Sequence, residues 1–176
     1  MERHHCTVIH PNDPSTQFLS CLYSDIDIVD FVDERASEAG VLLAITAAQQ
    51  VMMLGHGTPW GLLSPTMGYI INDNYAQALS HKECIGIWCY ANMFAEAHHL
   101  HGLFSGMIIS EPEEAEAMGV ESTKEEILTE RALLAQRLQQ CIHDNPLADV
   151  PRLMREMPYN PSPLNKFNYN NFHYYD

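Results

Sequence analysis

Positive charge is scarce in this chain: nine lysines and arginines stand against 23 aspartates and glutamates, a formal net charge of -14 over 176 residues. Such a balance repels phosphate backbones and anionic headgroups, which argues against nucleic acid or a membrane surface as partner. Long apolar runs are missing too, since none approaches the roughly 20 residues needed to cross a bilayer. The opening "MERHHCTVIHPNDP" lacks the apolar core of a secretory signal. Five cysteines, at positions 6, 21, 84, 89 and 141, form an odd set without C-x-x-C spacing. That pattern argues against a disulfide framework and against a structural zinc site. Together these absences predict a cytoplasmic protein with reduced thiols. No internal repeat is visible.

What remains is an ordinary globular composition, 46% hydrophobic and 18% charged, enough for one domain with a sizeable core. "CTVIHP" is a short β-branched run closed by proline, and "PSTQFLSCLY" is a short helix capped by serine or threonine. "SDIDIVDFVDE" alternates through Ile26 and Ile28 as a half-exposed strand does. A helix is expected in "ERASEAGVLLAITAAQ", with its start after Gly40. "QVMMLG" is apolar throughout, as a strand buried on both faces would be. Next come a hairpin in "WGLLSPTMGYIIND", a helix in "DNYAQALSHK" and a strand in "CIGIWCY". "ANMFAEAHHLH" is a helix ended by Gly102, and "LFSGMIIS" is a further strand. Strands alternating with helices predict an α/β fold with a mainly parallel sheet.

After Ser110 the chain turns helical to about residue 157. "EPEEAEAMG" makes a short acidic helix with a solvated face. A capping box of Ser122 with Glu125 opens a long amphipathic helix that docks through Ile127, Leu134, Leu138 and Cys141. The spacing sets a single domain over 1–157 and a tail rich in aromatics and asparagine over 158–176, whose rings cover the domain or bind a protein partner.

Two strand ends carry candidate chemistry. "VMMLG" delivers His56, and "IGIW" delivers Cys89. In open α/β sheets functional groups gather at the carboxyl ends of strands, so these two side chains can converge. An imidazole near a thiol lowers its pKa or protonates a leaving group, and the start of the helix after Cys89 favours a thiolate. Gly55 and Gly57 let a substrate backbone approach, and the Gly57 amide suits a developing oxyanion. Gly55, Trp60, Trp88 and Tyr90 are the candidate pocket residues. Cys6, Cys21, Cys84 and Cys141 read as structural. The cluster His98, His99 and His101 reads as a solvated helix end, since no matching acidic or thiol ligand accompanies it; "RHHC" at the start is read likewise.

"MMLGHGTPWGLL" followed by "CIGIWCYAN" and "HGLFSGMIIS" resembles the His-Gly and strand-end cysteine motifs of the caspase-like (clan CD) cysteine peptidases, the group of caspases, gingipains, clostripain and CHAT domains. The resemblance spans roughly residues 5 to 112. It implies a three-layer caspase-like fold and a dyad of His56 and Cys89, with an oxyanion hole built from the backbone amides of Gly57 and Cys89. It implies hydrolysis of a peptide or protein substrate without cofactor or metal. Trp88 before the cysteine and Tyr90 after it depart from the group, where smaller residues are common. Two alternatives follow from that crowding: an inactive interaction module, or a thiol hydrolase acting on a small molecule. A narrow apolar pocket on the Trp60 side would favour the latter.

Overall fold

A computed structural model describes residues 6–66, 68–156 and 160–176. His4 and His5 of "RHHC" lie outside the described residues. Six strands form the main sheet: β1 (Cys6–Ile9), β2 (Ile28–Val32), β3 (Gln50–Leu54), β7 (Glu83–Ile87), β8 (His101–Ser105) and β9 (Phe172–Tyr175). Their order is β2-β1-β3-β7-β8-β9, and every pairing is parallel except that of β9 with β8. Between β3 and β7 the chain makes a small antiparallel sheet of β4 (Gly57–Thr58), β5 (Gly61–Leu63) and β6 (Tyr69–Ile71), the expected hairpin with one extra strand.

The apolar runs are central strands because both sheet faces are covered. Successive side chains alternate between two cores. Val51, Met53, Cys84 and Phe104 join the first, under the helices α1 (Glu38–Ala47), α2 (Ala76–Leu79) and α3 (Ala91–His98). Met52, Leu54, Ile85 and Ile87 join the second, under the 3-10 helix Pro14–Tyr23 and the helices α5 (Lys124–Asp144) and α6 (Val150–Arg155). A short α4 (Pro112–Met118) precedes α5.

Several boundaries differ from the sequence expectation, each for a local reason. Helix α1 begins before Gly40, because the Ser37 hydroxyl accepts from the Gly40 amide at 3.1 Å and caps the first turn. Helix α5 is capped one residue later than expected, by Thr123 with Glu126, while Ser122 Oγ is buried without a partner. Both pairs have the capping-box spacing, so spacing alone does not choose between them. Helix α3 ends at His99, which takes a left-handed conformation with φ 53°, and Gly102 lies inside β8.

The C-terminal segment is built into the domain. Ser162 caps α7 (Pro163–Tyr169), and Pro163 is accepted at its first position, where the missing N–H would have no partner in the helix. The Asn168 side chain then pairs with Ile109 like a strand, accepting its amide at 2.8 Å and donating to its carbonyl at 2.9 Å. β9 follows along the edge of β8 and buries Phe172 to 1% exposure. Phe172→Ala is therefore expected to cost about 3–5 kcal/mol, as deletion of a core ring does. Urea unfolding checks this, and a loss below about 1 kcal/mol would contradict the burial of that ring.

Candidate functional site

Adjacent strands β3 and β7 stay paired to Leu54 and Ile87, and the Gly55 amide still donates to the Ile87 carbonyl at 3.1 Å. Both chains leave the sheet there. Gly55 turns at φ 147°, a region closed to residues with a side chain, and this turn delivers His56. The His56 carbonyl then accepts the Leu63 amide at 2.8 Å. In an antiparallel ladder hydrogen-bonded and non-bonded pairs alternate, so Gly57 opposite Leu62 is a non-bonded pair. Its amide consequently faces away from β5. Gly57 lacks a side chain for a second reason: a Cβ there would sit 2.0 Å from Trp88 Cδ1.

Trp88 is a strut more than a wall of the open site. It is 2% exposed, and its indole N–H donates to the Thr58 carbonyl at 3.1 Å, tying the β7 end to β4. Its own amide donates to Ser105 Oγ at 3.0 Å, and that hydroxyl donates back to the Trp88 carbonyl at 2.8 Å. The indole thus holds the His56–Gly57 segment beside the cysteine strand.

His56 sits at the end of a polar chain. Its Nε2 is 2.7 Å from Ser15 Oγ, which donates to Asp13 Oδ1 at 2.7 Å. A carboxylate only accepts, so the serine proton points to Asp13 and the serine oxygen receives the proton on Nε2. Nδ1 is left as the lone-pair nitrogen, the atom able to act as a base. Asp13 Oδ2 lies 4.0 Å from His56 Nε2. Burial works against the Asp13 charge, yet bonds from the Ser15 hydroxyl and amide and the nearby His56 hold its carboxyl below the usual value. Asp13 also caps the 3-10 helix through the Ser15 amide. Buried His10 pins that helix, reaching Tyr23 with Nδ1 and Thr16 with Nε2, and burial lowers its pKa. The sequence reading missed Asp13 and Ser15. "NDPST" did hold the signal, an aspartate cap at the end of a strand.

Cys89 is half-buried on the far side of a sharp turn. Tyr90 takes a left-handed φ of 68° between β7 and α3, a conformation that costs of order 1–3 kcal/mol in a residue with a side chain. The Tyr90 amide donates to the Gly106 carbonyl and the Ala91 amide to that of Trp88; among the described residues no acceptor meets the Cys89 amide. The thiol points to the Ile108 carbonyl at 3.5 Å and to Glu114 Oε1 at 3.8 Å. Glu114 is fixed in turn, its Oε2 accepting the Ser110 and Glu111 amides at 2.7 and 3.0 Å. Burial first, then the Glu114 and Glu111 carboxylates, push the Cys89 thiol up to about 12. The expected lowering by the helix start and the imidazole is thus reversed at rest, because burial and two carboxylates outweigh them. Among the described residues no hydrogen bond joins His56 to Cys89.

The two side chains nonetheless share two spaces. One is an open cleft of about 510 Å³ whose lining includes His56, Gly57, Cys89, Tyr90, Glu111 and Glu114. The other is a small apolar cavity of about 30 Å³ behind the thiol, which His56, Gly55 and Trp88 also reach. Trp60 is 70% exposed at the β4–β5 turn and is not among the residues lining either space. His98 packs on Phe94 with ring centroids 4.5 Å apart, and among the described residues no group of three or more potential ligands could hold a metal. The chain matches no protein-family model, no curated protein and no solved structure.

Gly57→Ala is expected to displace the Trp88 ring, lowering stability by about 1–3 kcal/mol through overpacking. It should also shift tryptophan emission to the red; an unchanged spectrum and urea midpoint would contradict the strut.

Proposed function

We propose that this protein is a cysteine peptidase of caspase-like type, with Cys89 as nucleophile and His56 as base. One observation carries the reading: His56 and Cys89 leave neighbouring parallel strands at the same sheet edge and line one cleft. The motif resemblance supports the same pair. A cleft of this size, open along one side, suits an extended peptide better than a small molecule bound in a closed pocket. Five free thiols fit a reducing compartment, which favours the cytoplasm.

At rest the thiol is neutral and held by Ile108 and Glu114. A substrate entering the cleft draws it toward His56. Nδ1 takes the proton as sulfur attacks the carbonyl carbon, and the imidazolium is stabilised through Ser15 by Asp13. The carbonyl oxygen, now negative, takes the amides of Gly57 and Cys89. Collapse of the adduct breaks the C–N bond, and His56 returns its proton to the departing amine. Water, deprotonated by the same imidazole, then attacks the thioester, releasing the acid and restoring the thiol.

A second reading, an interaction module that keeps the thiol idle, is favoured by the carboxylate beside Cys89. Incubation with a proteome-derived peptide mixture separates the two. Cleavage should fall by at least about 10³-fold in Cys89→Ala and in His56→Ala, with circular dichroism unchanged. Full activity in either variant would sink the peptidase, and stable peptide capture without cleavage would establish the module.

A further inference from the structure

We infer that the residue whose carbonyl meets Cys89 carries a short aliphatic side chain, between alanine and valine in size, which occupies the apolar cavity behind the thiol. The inference rests on the peptidase reading above. Along β7 the pleat sends Ile87 to the second core and Trp88 to the first, so Cys89 continues toward the second. The cavity lies on that side. Its far walls are Phe18, Ile108, Leu134, Ala135, Leu138 and Phe172, drawn from the 3-10 helix, the loop after β8, α5 and β9. A group attached to the sulfur and turned away from the open cleft enters this space.

Size and charge narrow the occupant. At about 30 Å³ the space is one-fifth of the roughly 150 Å³ void that accepts benzene, so it takes a methyl group, or one methyl branch of an isopropyl group whose remainder stays in the open cleft, and a ring does not fit. Neither space is lined by a lysine or arginine among the described residues, so no cation is offered to an acidic side chain. Arg131, which lies over the Phe18 ring, spends its guanidinium on the Ser110 carbonyl. Asp13, Glu111 and Glu114 along the outer cleft repel carboxylates further. A lysine or arginine side chain fails for the opposite reason, since the cavity wall would strip its hydration and return no counter-charge.

Peptidyl acyloxymethyl ketones carrying Ala, Val, Phe, Lys or Asp next to the ketone test this. The thiolate displaces the carboxylate from the methylene carbon and leaves a thioether on Cys89, read by intact mass and peptide mapping. Ala and Val probes should label at least about tenfold faster than the other three. Ala135→Leu, which fills the cavity, should slow the Val probe, and Phe18→Ala, at a partly exposed wall, should speed the Phe probe. If Phe, Lys or Asp labels as fast as Ala and Val, or if neither variant alters the order, the pocket assignment falls and the Cys–His reading stands. Failure of every probe to label Cys89 would overturn the peptidase reading and this inference with it.

Discussion

The parallel pairing of β3 with β7 is the constraint on which the site depends. Its register sets Leu54 opposite Ile87, so the two chains exit the sheet together and His56 and Cys89 emerge within one cleft. Everything next to that exit protects the geometry. Gly55 makes a turn no other residue makes without strain, Gly57 yields its volume to Trp88, and the indole bonds across to Thr58. A slip of one residue would send His56 to the wrong face, since side chains alternate with period two.

Around this frame the two halves of the site are held by different carboxylates, Asp13 on one side and Glu114 on the other. The imidazole is oriented by a chain ending in the Asp13 carboxylate, which bonds from Ser15 hold in its charged form. The thiol is stored neutral against two carboxylates and a carbonyl. A left-handed Tyr90 keeps Cys89 on a tight bend between strand and helix, strain that the packing of β7, β8 and α3 maintains. In the peptidase reading proposed above, such a site is assembled in place and idle, and substrate binding would supply the displacement that brings sulfur and nitrogen together.

Much of the scaffold was legible in the sequence. The strands "QVMML" and "ECIGI" and the helix through Leu134 and Leu138 announced themselves by apolar run and by period, since each lies against a core that reads the same local pattern. His56 and Cys89 followed as the residues just beyond two such strands. Long-range partners were not legible. Ser15 meets His56 across 41 residues and Glu114 meets Cys89 across 25, and no local pattern encodes either contact. β9 escaped notice for the same reason: "FHYY" becomes a strand only because the edge of β8 is open beside it. Trp88 reaches the small apolar cavity as a buried strut, and its bond to Thr58 across 30 residues is another contact that no local pattern encodes, while Trp60 stands exposed at its turn.

The stored neutral thiol is the claim that separates an idle, assembled site from an ordinary cysteine. The rate of Cys89 alkylation by iodoacetamide, followed site by site by mass spectrometry from pH 6 to 11, measures it directly in the wild type and in Glu114→Gln. The account predicts a wild-type midpoint well above the ordinary thiol value of about 8.5, and a lower midpoint once the carboxylate is neutralised. A wild-type midpoint at or below that ordinary value, unmoved by Glu114→Gln, would contradict it.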